Sequence, residues 1–169
     1  MESLTAQTAG SRPPRVLAVS SGGGHWVELR RLRPAWQDAD VTYVVTDDGY
    51  RKELADDAPG PTGRTAQLLR VPDANKTQKM RMVWLALSSI WVVLRVRPHV
   101  VISTGAAPGY FAIRLGKMLG ARTIWVDSIA NAEEMSMSGR LARPYSDLWL
   151  TQWPHLSTPS GPQYVGAVL

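Results

Sequence analysis

Short apolar runs rich in β-branched residues alternate along this chain with stretches of helical period. Residues 16–20, 41–46 and 68–71 predict three strands. Residues 100–103, 122–127 ("RTIWVD"), 147–152 ("DLWLTQ") and 164–168 ("YVGAV") predict four more. A helix over 24–32 stops near Pro34. Another starts at Pro108, which suits a first helical position, and ends at Gly120, which suits the residue after a C-cap. Residues 51–66 are polar, contain Pro and Gly, and carry no clear period. The strands are almost continuously apolar, the mark of a parallel sheet covered on both faces. The pattern therefore predicts an α/β protein, a Rossmann-like parallel sheet with helices on either side. No internal repeat or low-complexity run interrupts it.

One segment departs from the alternation. "MRMVWLALSSIWVVLRVR" (80–97) has an apolar middle bounded by Lys79, Arg81, Arg95 and Arg97. Spanning a bilayer takes roughly 20 apolar residues, so this stretch is too short to cross one. On a helical wheel Arg81, Ser88 and Arg95 share a stripe; Trp84 and Trp91 sit beside it, with Leu87 and Leu94 further round. Tryptophans at a polar–apolar border with basic flanks describe a helix lying in a membrane surface. The alternative is a helix wholly buried in the core.

Composition narrows the chemistry. A chain of 169 residues holds one core of ordinary size, and the absence of cysteine excludes disulfides and thiolate metal sites. His25, His99 and His155 lie far apart in sequence, so no metal site is expected. A formal net charge of +5 favours polyanionic partners. Nucleic acid is not among those expected: no recognition motif is present, and Arg30, Arg31 and Arg33 read as a solvated helix face. Residues 1–14 contain no apolar signal-like stretch and read as a disordered leader, leaving 15–169 as a single domain.

Two loops carry candidate chemistry. "SSGGGH" links the first strand to the first helix, where backbone N–H groups and a helix N-terminus can face an anion. It is neither a P-loop, since no Gly-Lys-Ser/Thr follows, nor a full dinucleotide fingerprint, since Val27 stands where the third glycine belongs. His25 closes the loop at the helix start, where the dipole favours a neutral imidazole able to accept a proton from a substrate hydroxyl. "STGAAPG" (103–109) has the same design after the fourth strand. Both loops would open into one crevice at the C-terminal ends of parallel strands, with Asp127 at the end of the fifth.

"SSGGGH", "PHVVISTGAAPG", "DSIANAEEMSMSGRLARPYSDLWLTQWPHL" and "YVGAVL", in that order, resemble the Alg14-type glycosyltransferase subunits and their bacterial PssD-type relatives. The resemblance runs from Arg15 to Leu169. It implies the N-terminal, acceptor-binding half of a MurG-like GT-B enzyme on the cytoplasmic membrane face. The implied acceptor is a polyprenyl-diphosphate-linked sugar. A separate donor-binding subunit of the Alg13 or PssE kind would carry the nucleotide sugar, and no cofactor is implied.

Carried over position by position, the resemblance puts the acceptor diphosphate at Ser21, Gly22, Gly23, Gly24, Ser103, Thr104 and Gly105. Arg140 or Arg143 would stand in for the family's basic residue, whose place Asn131 takes here. His25 and Asp127 become the candidate bases, Asp127 falling where the family usually has Glu. Gln152, Trp153, Val165, Gly166 and Leu169 become the expected partner contacts, where a full-length GT-B chain would cross into its second domain. Lacking the N-terminal transmembrane helix of the eukaryotic members, the chain would anchor through 80–97. The implied reaction is inverting, metal-independent glycosyl transfer. A non-catalytic membrane scaffold and a stand-alone nucleotide-binding Rossmann protein remain as alternatives.

Overall fold

A computed structural model describes residues 12–74 and 77–168. The leader expected over 1–14 lies outside the described residues as far as residue 11, and so does Leu169. Seven strands form one sheet in the order β3-β2-β1-β4-β5-β6-β7, every neighbouring pair parallel. They are β1 (Arg15–Val19), β2 (Asp40–Val45), β3 (Gln67–Arg70), β4 (Val100–Ser103), β5 (Arg122–Val126), β6 (Leu148–Thr151) and β7 (Gln163–Tyr164). Helices α1 (Gly24–Arg31), α2 (Arg51–Ala55), α3 (Lys79–Val96), α4 (Ala106–Met118) and α5 (Met137–Ala142) fill the connections.

Alternate strand residues feed two cores. Leu17, Val19, Val101 and Trp125 pack with α3, α4 and α5 on one face. Val16, Ala18, Ile102 and Val126 pack with Trp26 and Leu29 of α1, Trp36 and Leu54 on the other. This two-sided burial explains why the strands read as unbroken apolar runs. The strand order reverses between β1 and β4, and at that reversal the crevice outside the strand ends is the ligand position of open α/β sheets.

Several local expectations are corrected. β7 covers only 163–164, because Gly166 takes a φ of 134° and the chain leaves the sheet as an extended strap. Pro108 is the third residue of α4, since Ala106 and Ala107 already belong to the helix. Gly120 does follow the C-cap, at a φ of 83°. Of the expected solvated face, Arg31 and Arg33 are exposed but Arg30 is not: Arg30 and Arg33 both pair with the buried carboxylate of Asp57, and the Arg30 guanidinium lies over the rings of Trp26 and Tyr43. They hold the 56–66 loop against α1.

Of the two readings of residues 80–97, the wholly buried helix does not hold, because α3 buries one face only. Leu85, Ser89, Val92 and Val93 are buried, and Ser89 satisfies its hydroxyl on the Leu85 carbonyl at 2.8 Å. The opposite face is apolar as well: Met80, Val83, Trp84, Leu87, Trp91 and Leu94 are exposed. Lys79, Arg81, Arg95 and Arg97 are exposed around it. Among the described residues, no helix is long and apolar enough to cross a membrane.

Candidate functional site

The two glycine-containing loops meet at the β1/β4 reversal. His25, the second residue of α1, places its Nδ1 2.9 Å from the Thr104 carbonyl oxygen, while Thr104 Oγ1 donates to the His25 carbonyl at 2.7 Å. A carbonyl only accepts, so Nδ1 carries the proton, and in the neutral ring Nε2 presents a lone pair. Gly105 makes this approach possible. A Cβ there would stand 2.5 Å from His25 Cε1, and the residue takes a φ of 141°. Ala106 follows at a φ of 65°, a strained conformation for a residue with a side chain, at the first position of α4.

The glycine loop is less open than its sequence suggests. Gly22 N–H donates to Thr46 Oγ1 at 3.3 Å and Gly23 N–H to the Tyr50 hydroxyl at 2.7 Å. Tyr50 in turn stacks on Trp26 with ring centroids 4.8 Å apart. Among the described residues, the N–H groups of Gly24 and His25 on α1 and of Ala106 and Ala107 on α4 have no protein partner. Two helix N-termini thus bring unpaired donors and positive dipole ends to one crevice, with the imidazole between them. Ser20, at the end of β1, is fully buried and its hydroxyl is likewise unpaired among the described residues. Ser21 is half-buried with only a long contact to the Gly22 carbonyl, 3.5 Å.

Other expected site residues face elsewhere. Ser103 is buried, and its hydroxyl oxygen accepts the Gly105 N–H at 3.1 Å. Arg140 spends its guanidinium on Glu134 at 2.8 Å and the Met135 carbonyl at 2.9 Å. Asp127 is only 2% exposed. Its carboxylate accepts Ser136 N–H at 2.6 Å, Ser136 Oγ–H at 2.6 Å and the Trp125 indole N–H at 3.0 Å. Ser136 also caps α5 by accepting the Gly139 N–H at 2.9 Å. A Cβ at Gly139 would meet Asp127 Oδ1 and the Trp125 indole nitrogen at 2.8 Å each. Asp127 therefore braces the turn into α5, buried beneath it rather than open to the crevice.

The expected partner contacts also divide. Gln152 is 3% exposed and lies beneath the strap. Trp153 is half-buried, its indole donating to the Ile129 carbonyl at 2.8 Å. Val165 and Gly166 are exposed on the strap itself. Glu28 escaped the sequence reading altogether. This charged residue of α1 is 5% exposed and bonded to Ser128, Ile129 and Gln152. Spacing could not reveal partners 100 and 124 residues away.

Comparison with solved structures defines the architecture. Acinetobacter baumannii MurG superposes with a TM-score of 0.71 at 11% identity, covering 93% of this chain and 46% of that one. Rickettsia bellii UDP-N-acetylglucosamine 2-epimerase gives 0.64 at 13% identity, with the same coverages. The fold is thus one Rossmann-like half of the two-domain GT-B architecture, and the chain spans about half the length of those proteins, 46% in each case.

Sequence comparison narrows this further. Residues 16–168 match the family model described as "Oligosaccharide biosynthesis protein Alg14 like". The UDP-N-acetylglucosamine transferase subunit ALG14 of Eremothecium gossypii is 31% identical over 88% of this chain and 77% of its own length. The human subunit of the same name is 29% identical over 83% of this chain and 76% of its own length. The chain belongs to the Alg14 family.

Proposed function

We propose that this chain is the acceptor-binding subunit of a two-component inverting glycosyltransferase acting in lipid-linked glycan or exopolysaccharide synthesis. A polyprenyl-diphosphate-linked sugar sits over the β1/β4 reversal, its diphosphate facing the N-termini of α1 and α4. A separate donor-binding subunit brings the nucleotide sugar, UDP-N-acetylglucosamine by analogy with the relatives' names. His25 Nε2 takes the proton from the acceptor hydroxyl as that oxygen attacks the anomeric carbon. The bond from that carbon to the diphosphate breaks, and the nucleoside diphosphate leaves with its electron pair. The observation that carries this reading is the His25–Thr104 contact, which leaves a lone pair on the one imidazole set between two unpaired helix N-termini.

The same reading places the outer face of α3 in the cytoplasmic leaflet. Its exposed Trp84, Leu87, Trp91 and Leu94 would lie at headgroup depth, with Lys79, Arg81, Arg95 and Arg97 among anionic headgroups. Val165 and Gly166 on the strap would meet the donor-binding subunit.

Reconstitution tests the division of labour. The purified chain and its partner are assayed separately and together, with UDP-N-acetylglucosamine and a polyprenyl-diphosphate-linked sugar in detergent. Turnover only from the pair is expected. Turnover by this chain alone on a soluble acceptor would overturn the reading.

A further inference from the structure

Glu28 is a buried carboxylate with no cation within ion-pair distance among the described residues. Its Oε1 accepts the Ser128 hydroxyl at 2.7 Å and the Ile129 N–H at 3.3 Å. Its Oε2 accepts the Gln152 side-chain N–H at 3.1 Å. Gln152 is itself fixed: its nitrogen also donates to the Asp127 carbonyl at 3.0 Å, and its oxygen accepts the Val168 N–H at 2.9 Å. No flipped amide satisfies all three partners. A buried carboxylate without a counter-ion is a poor source of stability, but convergent donors fix its direction.

The helix that carries Glu28 is short. α1 has 8 residues, with His25 one turn before Glu28. Arg31, one turn after, donates to the Val168 carbonyl at 3.1 Å. The N-terminal end of α1 is therefore held by Thr104, its middle by the ends of β5 and β6, and its last turn by the strap. We propose that Glu28 is a positioning residue: gripped by Ser128, Ile129 and Gln152, it fixes α1 on the sheet and so sets His25 Nε2 over the acceptor site. This rests on His25 being the base.

A Gln at position 28 keeps the size but sets an N–H against either the Gln152 N–H or the Ile129 N–H. Flipping Gln152 to relieve the first clash gives up its bonds to both Asp127 and Val168. Misplacing a reacting group by about 1 Å costs on the order of 100-fold in rate. The test is a double-mutant cycle on the reconstituted pair. Glu28→Gln is expected to lower kcat on the order of 10- to 100-fold with acceptor KM within about twofold. In a His25→Ala background it is expected to cost nothing further, because the residue it positions is gone. Should Glu28→Gln fail to fold, Ser128→Ala removes one donor, and its smaller loss must vanish in the same background. Equal losses in both backgrounds, or none in either, would overturn this inference and leave the base assignment standing. Wild-type turnover by His25→Ala alone would overturn both.

Discussion

His25 and Thr104 are joined twice, imidazole Nδ1–H to carbonyl at 2.9 Å and threonine hydroxyl to histidine carbonyl at 2.7 Å. The pair crosses from the start of α1 to the loop after β4, joining residues 79 positions apart in the chain. It fixes both the tautomer and the direction of the ring, the tasks a buried carboxylate performs in other histidine-based sites. Asp127, the carboxylate nearest in sequence logic, is committed to Ser136 and Trp125 instead.

Gly105 should tolerate no side chain. In Gly105→Ala the new methyl would stand 2.5 Å from His25 Cε1 at a φ that disfavours it. Chemical denaturation is expected to show a loss of about 1–3 kcal/mol. Turnover of the pair is expected to fall on the order of 100-fold as the imidazole is pushed aside.

Asp127→Asn separates a brace from a base. The Asn side chain keeps one acceptor and turns an N–H toward Ser136. A stability loss of about 2 kcal/mol is expected in urea unfolding, typical for hydrogen bonds to a charged group. The kcat measured well below Tm should stay within about threefold of wild type, whereas loss of a base costs on the order of 100- to 10,000-fold.

Acid should weaken the α1–loop clamp. Burial pushes the Asp57 carboxyl up, but the hydrogen bonds and charges of Arg30 and Arg33 outweigh it and hold the group below the ordinary carboxylate range. With the folded value below the unfolded one, this stabilisation is complete above about pH 4 and is lost as pH falls through the folded value. Urea midpoints measured from pH 7 downward should therefore drop in that window. Asp57→Asn should remove this part of the drop and cost about 3 kcal/mol at pH 7, since it leaves Arg30 unpaired between two rings.

The outer face of α3 should matter for membranes and not for folding. Trp84 and Trp91 are 61% and 56% exposed, so Trp84→Ala/Trp91→Ala should leave Tm nearly unchanged. Binding to anionic vesicles in a sedimentation assay should weaken on the order of 100- to 10,000-fold, given about 1.5–3 kcal/mol for each large apolar side chain withdrawn. Unchanged vesicle binding would remove this face from the account.

The sheet was legible because its strands are buried on both sides and carry β-branched residues, so six of the seven lie within a residue or so of their expected ends. β7 was not, because the Val168 N–H donates to Gln152 and its carbonyl accepts from Arg31, which draws the chain out of the sheet despite its apolar sequence. The short helices α2 and α5, 5 and 6 residues long, are too brief to show a period. The loops of the site were visible as glycine clusters, and the histidine as the group closing one of them. Hidden from the sequence were the long-range bonds that decide which polar groups remain available. Thr46 and Tyr50 consume two loop amides, Glu134 consumes Arg140, and Ser136 consumes Asp127.

The most direct test is kcat for His25→Ala in the reconstituted pair, with complex formation and Tm verified. The account predicts a fall on the order of 100- to 10,000-fold with the partner still bound. Turnover equal to wild type in an intact complex would contradict it, and would place the base on the donor-binding subunit.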